Sequence, residues 1–204
     1  MIRVFVARHG ETDWNREGRW QGQSGPGLNQ TGREQAGALA ARLAALKPDA
    51  LYTSDLARAS ETAAIVAAAT GLTAIADLGL REVDVGDWRG LTREQVSHSH
   101  PDGYRRWLQG EAGWNGGETY EQMHERAVAA MAAIVAGAPG ARIAVISHGG
   151  AVRALAAHAV GLPRHERLRI DGARNCSLTT LLYGADGIRL VGYNDDGHLT
   201  PDVG

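Results

Sequence analysis

Two histidines follow apolar segments that have the character of buried strands. Residues 4–7 lead into Arg8 and His9, and residues 143–146 lead through a serine into His148. The carboxyl ends of parallel strands lie at one edge of a sheet, where open α/β sheets bind ligands, so we expect both imidazoles at that edge. A neutral imidazole beside a fixed cation can attack phosphorus and form a phosphohistidine. Arg8 disfavours protonation of His9 and neutralises phosphoryl charge, which makes His9 the candidate nucleophile.

A phosphoryl group needs more than one partner, and two other positions offer them. Arg58 lies in the first turn of a predicted helix that follows a short strand at residues 51–53. At that position its guanidinium can bind phosphoryl oxygens in a bidentate manner. Gly149 opens the helix after His148 and adds backbone N–H donors at the same edge. These positions predict an anion site around His9.

Cleavage of a phosphate ester also requires a proton for the departing alkoxide. Glu82 lies just before a Gly-Asp-Trp-Arg-Gly loop and is the candidate acid. A phosphate bound beside it favours the protonated carboxyl that a general acid needs. Asp84 and Asp87 lie close to it in the sequence and are alternative acids.

Strand-like apolar runs alternate with helical periodicity along the whole chain, which predicts a three-layer αβα fold with a mostly parallel central sheet. Capping-box spacing at Thr31 predicts a helix that Pro48 prevents from continuing. Ser54 or Asp55 is the predicted N-cap of an alanine-rich helix that ends at Gly71.

The remaining segments are predicted by the same signals. Thr119 begins another helix, and residues 178–183 and 188–193 flank an Asp-Gly turn that suits a hairpin. Residues 13–30 and 84–117 hold all five tryptophans and lack a regular pattern. We expect both stretches to form loops and short helices over the carboxyl edge of the sheet.

Length and composition limit the classes of function. A chain of 204 residues with 44% apolar content predicts a single domain, residues 1–204, with residues 84–117 as a small cap over the site. A net charge of -2 gives no positive field for nucleic acid or an anionic membrane. The start of the chain has no leader-like segment, so we expect a cytoplasmic protein. The single cysteine, Cys176, excludes an internal disulfide and argues against a cysteine-based zinc site.

Several short motifs, in order, resemble the histidine phosphatase superfamily, also called phosphoglycerate mutase-like. The resemblance extends over nearly the whole length of the chain. The motifs that carry it are Arg8-His9-Gly10-Glu11-Thr12 with Asn15, residues 31–36, residues 54–59 with Thr62-Ala63, Leu80-Arg81-Glu82, residues 86–92, Gly117-Glu118, Ser147-His148-Gly149-Gly150 and residues 193–199.

This resemblance implies roles for individual residues. It implies that His9 is phosphorylated, that Arg8, Arg58 and His148 bind the phosphoryl group, and that Glu82 donates the proton. It also implies phosphate contacts from the positions of Asn15 and Gln21. The resemblance implies that no metal is needed, because side chains supply the positive charge, and we expect no cofactor for this protein. A homodimer is compatible with the family, although the sequence shows no apolar stripe that would form one.

The sequence therefore predicts a cytoplasmic phosphomonoesterase that hydrolyses a small-molecule phosphate ester through phosphohistidine on His9. The segments around Trp20, Trp88 and Trp114 look similar to those of glucosyl-3-phosphoglycerate phosphatases and α-ribazole phosphatases, which suggests a sugar phosphate. The alternative is a cofactor-dependent phosphoglycerate mutase, but the segment between the acid and the second histidine is short for a mutase and poor in basic residues. A non-catalytic binding protein is disfavoured, because His9 and Glu82 are both present.

Overall fold

One mixed sheet of six strands organises the protein. The computed structural model describes residues 1–138, 141–163 and 169–199. The order across the sheet is β3-β2-β4-β1-β5-β6, and the first four of these strands run parallel to one another. The strands are β1 (Ile2–Arg8), β2 (Ala50–Thr53), β3 (Ala74–Ala76), β4 (Arg142–Ser147), β5 (Leu178–Gly184) and β6 (Gly187–Asp195).

Helices pack on both faces of this sheet. Successive side chains of β1 point to opposite faces, so Val4 and Val6 lie in one buried cluster while Phe5 and Ala7 lie in the other. The first cluster includes side chains of α6 and α7, and the second includes side chains of α2 and α3. This confirms the predicted three-layer fold. The helices are α1 (Asp13–Arg16), α2 (Gln30–Leu46), α3 (Ala57–Thr70), α4 (Arg93–Ser99), α5 (Pro101–Leu108), α6 (Tyr120–Gly137) and α7 (Gly149–Ala159).

The predicted start of α2 was wrong by a short distance. The N-cap is Asn29, not Thr31, because the Asn29 side chain accepts a hydrogen bond from the N–H of Gly32 at 2.8 Å. Asn29 also donates to the Glu11 carboxylate at 2.8 Å, which ties the helix start to the segment after β1. There the backbones nearly touch, since a Cβ on Gly10 would lie 2.4 Å from the Gly32 carbonyl oxygen.

The predicted N-cap of α3 was also wrong. The helix begins after Leu56, which supplies no side-chain cap, and it ends at Gly71 as expected. Ser54 and Asp55 make tertiary contacts instead: the Ser54 hydroxyl lies 2.8 Å from His148 Nε2, and Asp55 forms a two-pronged ion pair with Arg81. Ser54 and Asp55 therefore connect the segment after β2 to His148 and Arg81 instead of capping α3.

The start of α6 and the closing hairpin are confirmed. Thr119 forms a complete capping box with Gln122 at the start of α6. Strands β5 and β6 pair antiparallel around a turn that closes at Gly184 and Gly187. Among the described residues, no helix is long and apolar enough to cross a membrane.

Residues 84–117 form short helices and loops, as predicted. A 3₁₀ turn at Gly86–Trp88 precedes α4 and α5. Trp20 meets Trp88 and Trp107 edge to face at centroid distances of 5.3 and 5.1 Å, and Trp88 meets Trp114 at 5.5 Å. This aromatic cluster joins the segment to the loop after α1.

Candidate active site

The two histidines meet at the carboxyl edge of the sheet. Strands β1 and β4 are parallel neighbours with Arg8 opposite Ser147, and the His9 N–H donates to the Ser147 carbonyl at 2.9 Å. His9 therefore follows the last residue of β1, and His148 follows the last residue of the neighbouring strand β4. Their ring centroids lie 5.2 Å apart, and both side chains are buried. The structure confirms that both imidazoles occupy one edge.

The hydrogen bonds of His9 define the state of its ring. Nδ1 lies 2.7 Å from the Gly10 carbonyl oxygen, which can only accept, so Nδ1 carries the proton. Arg58 Nε donates to His9 Nε2 at 3.1 Å, so Nε2 presents a lone pair. Burial, followed by the charges of Arg58 and Arg8, holds the His9 pKa well below its usual value. The ring is therefore neutral and nucleophilic at Nε2.

Arg58 is fixed by three hydrogen bonds. Besides the contact with His9, it donates to the Ser24 carbonyl and to the Gly22 carbonyl, each at 2.7 Å. A guanidinium has five N–H groups, so two remain for a ligand. Burial lowers the Arg58 pKa to about 10, which leaves the side chain charged at neutral pH.

The Glu82 carboxylate contacts the start of α7. One carboxylate oxygen accepts from the Gly150 N–H at 2.9 Å, and the other accepts from the Val83 N–H at 2.9 Å. A Cβ on Gly150 would lie 2.1 Å from Glu82 Oε1, so a side chain at that position would displace the carboxylate. The second glycine of the His148 motif therefore makes room for the candidate acid.

The loop that carries Glu82 is held from α6. Arg126 donates to the carbonyls of Gly79, Arg81 and Glu82 at distances of 2.9 to 3.3 Å. Its other face forms a bidentate pair with Glu118, at 2.9 and 2.7 Å. Because one guanidinium satisfies three carbonyls of the loop, the position of Glu82 depends on α6 as well as on α7.

A cavity of about 260 Å³ opens above these groups. Arg8, Asn15, Gln21, Arg58 and Glu82 line it together with His9, as the sequence predicted. Among the described residues that line it, Glu82 is the only carboxylate. The full lining is Arg8, His9, Asn15, Arg19, Trp20, Gln21, Gly22, Arg58, Glu82, Val83, Val85, Arg93, Trp107, Tyr120, Gly150 and Arg153.

His148 and Gly149 are not among the residues that line the cavity. His148 is fully buried, with Nε2 against the Ser54 hydroxyl, and its Nδ1 has no hydrogen-bond partner within the described ranges. Burial, then the charges of Arg58, His9 and Arg8, keeps the His148 pKa well below its usual value. Gly149 packs against the Arg8 side chain, since a Cβ there would lie 3.6 Å from Arg8 Nε.

The alternative acids lie outside the cavity lining. Asp84 pairs with Arg89 and accepts from the Gly86 N–H. Asp87 accepts from the backbone and side-chain amides of Asn115, each at 2.9 Å. Both carboxylates therefore stabilise the loop after Glu82. In the part of the chain that the structure describes, no group of three or more potential ligands could hold a metal ion.

The family model for the histidine phosphatase superfamily (branch 1) matches residues 4–196. The chain belongs to this superfamily. This membership supports phosphohydrolase activity through a phosphohistidine. The neutral ring of His9, which lines the cavity, agrees with that activity.

Relatives within the superfamily include a probable phosphoglycerate mutase and a phosphatase. A probable phosphoglycerate mutase GpmB of Klebsiella pneumoniae is 37% identical over 191 residues, covering 90% of this chain and 86% of the relative. A glucosyl-3-phosphoglycerate phosphatase of Mycobacterium tuberculosis is 36% identical, covering 88% of this chain and 84% of the relative. A solved mycobacterial glucosyl-3-phosphoglycerate phosphatase, in complex with VO3, has a TM-score of 0.88 at 35% identity and covers 96% of this chain and 100% of that chain.

This histidine phosphatase also uses a residue that sequence reasoning missed. Asn175 donates to the His9 carbonyl at 2.9 Å and lies 3.3 Å from Asn15 Oδ1. Its position depends on tertiary pairing: β5 is antiparallel to β1, so the residues just before β5 lie at the carboxyl edge of β1. Cys176 is buried beside it as expected, and burial raises its pKa to about 12.

We predict that the phosphatase loses stability as pH falls below about 6.5. Histidines of the unfolded chain bind protons near that pH, whereas His9 and His148 stay neutral in the folded state. The unfolded state therefore binds more protons, and the free energy of unfolding should fall by up to about 2.7 kcal/mol per pH unit for the two groups.

Urea unfolding between pH 7 and 5, in buffers without phosphate or sulfate, measures this slope. His9→Gln should reduce the slope by roughly half, because one of two protons is removed. His98→Gln, at an exposed position, is the matched control and should leave the slope unchanged. A stability that does not vary over this range in the unaltered protein would contradict the buried neutral histidines.

Proposed function

We propose that His9 is the nucleophile, and Glu82 the acid and base, of a phosphomonoesterase that acts on a small phosphorylated metabolite. The observation that carries this proposal is the unprotonated Nε2 of His9, held 3.1 Å from Arg58 Nε at the floor of a cavity that also contains Glu82. A neutral imidazole next to cations has the state that attack on an anionic phosphate requires.

In the first half-reaction, His9 Nε2 attacks phosphorus and forms a P–N bond while the P–O bond to the alcohol breaks. Glu82 gives its proton to the departing oxygen. The proton that His9 retains on Nδ1 is stabilised by the Gly10 carbonyl, so the ring can carry the charge of the intermediate. Arg8 and the two unused N–H groups of Arg58 face the phosphoryl oxygens.

In the second half-reaction, Glu82 accepts a proton from water and the water oxygen attacks phosphorus. The P–N bond breaks, and inorganic phosphate and neutral His9 are regenerated. We assign phosphate contacts to His148, Gly149, Asn15 and Gln21 as well. The Asn15 side-chain oxygen already accepts from the Thr12 N–H at 3.1 Å, which favours its NH₂ group as the donor.

For the substrate we propose a sugar phosphate, of which glucosyl-3-phosphoglycerate is one example. Trp20 lines the cavity, and an indole ring can pack against the apolar face of a sugar ring. The name and the solved structure of the mycobacterial relative support this choice. The alternative, a phosphoglycerate mutase, is supported by the name of the Klebsiella pneumoniae relative.

A screen of phosphorylated metabolites distinguishes these functions. Released phosphate and the positional isomer of 3-phosphoglycerate are measured in the same reactions. We expect phosphate release without isomer, and the same rates after treatment with EDTA because arginines supply the positive charge. Isomer formed faster than phosphate would favour the mutase, and inhibition by EDTA that Mg²⁺ or Zn²⁺ reverses would contradict a metal-free reaction.

We further propose that residues 1–204 act as one domain with residues 84–117 as its cap, and that the protein is cytoplasmic. A homodimer stays a prediction that sedimentation of the purified protein tests.

A further inference from the structure

The cavity holds more positive charge than one phosphate monoester needs. Five arginines line it, and Glu82 is the one carboxylate among the described lining residues. A phosphate monoester carries about two negative charges at neutral pH. Arg8 and Arg58, the cations whose charge acts on His9, can balance them. Arg19, Arg93 and Arg153 remain.

Arg19 is already engaged, whereas the other two arginines are not paired with a carboxylate. Arg19 pairs with Glu17 and donates to the Gly90 carbonyl at 2.7 Å. Across the described ranges, Arg93 and Arg153 form no ion pair with a carboxylate. Two cations of the cavity are therefore available to a second negative group.

Backbone contacts and an aromatic ring hold Arg93 at the cavity. Arg93 is the first residue of α4, and the two residues before it pair with the loop after α1. The Trp20 N–H donates to the Leu91 carbonyl at 2.9 Å, and Arg19 and Thr92 form an isolated antiparallel β-bridge. The Arg93 guanidinium carbon lies 5.5 Å from the centroid of the Trp107 ring. A cation held over an indole face keeps its N–H edges open to a ligand.

Arg153 projects from α7 on the side of the acid. It lies one turn after Gly150, the residue whose N–H binds Glu82. Its Nε is buried, and within the described part of the chain no group accepts a hydrogen bond from it. Its remaining interactions include a hydrogen bond with Tyr193. Arg153 thus adds a buried, unsatisfied donor to the same cavity.

Resting on the proposed function, we infer that Arg93 and Arg153 form a second anion subsite, which binds a carboxylate or a second phosphate on the leaving group. The substrate class is therefore a phosphate ester whose alcohol carries its own negative charge. Guanidinium groups bind both kinds of oxyanion through paired N–H donors, and Arg93 and Arg153 line the same cavity of about 260 Å³.

Paired substrates test this subsite. The carboxylate is tested by the ratio of kcat/KM for 3-phosphoglycerate to kcat/KM for its carboxyl methyl ester. The second phosphate is tested by the ratio of kcat/KM for fructose 1,6-bisphosphate to kcat/KM for fructose 6-phosphate. We expect at least one ratio to be roughly tenfold or more, because a hydrogen-bonded charge pair is lost in the second member. The ratio that is raised identifies the kind of anion.

Variants test whether the two arginines cause the preference for the substrate with the second anion. Arg93→Gln and, independently, Arg153→Gln should lower the raised ratio toward one. Because the readout is a ratio, partial loss of folded protein cancels. Arg105→Gln is the matched control, since Arg105 is exposed on α5 and does not line the cavity; it should keep the ratio of the unaltered protein.

The outcomes separate the two proposals. If the protein hydrolyses p-nitrophenyl phosphate in a His9-dependent manner but both ratios are near one, the subsite is wrong and the phosphatase assignment stands. Ratios that are high but unchanged in both arginine variants also refute the subsite. If no phosphate ester is hydrolysed, the proposed function fails, and the subsite fails with it.

Discussion

Replacing His9 with alanine should lower kcat for phosphate esters by roughly 10⁴-fold or more, because the covalent route is lost with its nucleophile. Among the described residues that line the cavity, His9 is the only histidine. His148 is fully buried and does not line the cavity, and its Nε2 lies 2.8 Å from the Ser54 hydroxyl. Steady-state release of p-nitrophenol measures the effect.

His98→Ala is the matched control for this variant. His98 is exposed on α4, and its substitution should leave kcat unchanged. A rise in the melting temperature of the His9→Ala protein on addition of inorganic phosphate shows that the site is still folded. A His9→Ala protein that is folded and retains a tenth of the rate would remove His9 from the nucleophile role.

Replacing Glu82 with glutamine should lower kcat for an alkyl phosphate by about 10²- to 10⁴-fold, the usual contribution of general acid catalysis. Glutamine can accept the N–H groups of Val83 and Gly150 through its oxygen, but it cannot deliver a proton. p-Nitrophenolate leaves without protonation, so formation of the phosphoenzyme from p-nitrophenyl phosphate should be much less affected. Hydrolysis of the phosphoenzyme still needs a base, and it should become rate-limiting.

Stopped-flow measurements test this separation of steps. Glu82→Gln should give a burst of p-nitrophenol close to the enzyme concentration, followed by slow turnover. Glu94→Gln, at an exposed position of α4, is the matched control and should show the kinetics of the unaltered protein. Equal losses for alkyl and nitrophenyl esters, without a burst, would assign the proton transfer to another group.

The fold could be predicted because periodicity and strand-end motifs agree with each other. The apolar runs before His9 and His148 are buried on both faces, which is the pattern of central parallel strands. Helix starts were less predictable, because residues of the capping types also make tertiary contacts that the local sequence does not show. Asn29 caps α2 and binds Glu11, while Ser54 and Asp55 bind partners that are distant in sequence.

The candidate site could be predicted where a residue follows a strand and not where it depends on packing. Arg8, His9, Arg58 and Glu82 were assigned to one cavity from their motifs, and they line it. His148 was assigned to the same cavity, but it is fully buried and is not among the lining residues. Contacts over long sequence separations were not visible, such as the bonds from Arg126 to the loop of Glu82. Such contacts depend on how helices pack on the sheet, which no local pattern specifies.

Chemical trapping of the intermediate tests the central claim most directly. The protein is mixed with an excess of substrate, quenched in alkali within milliseconds, digested and analysed by mass spectrometry. We predict one phosphate on His9 that is stable in alkali and labile in acid, and its absence from the His9→Ala protein. Turnover without any covalent phosphate, or a phosphate on a residue other than His9, would contradict the proposed mechanism.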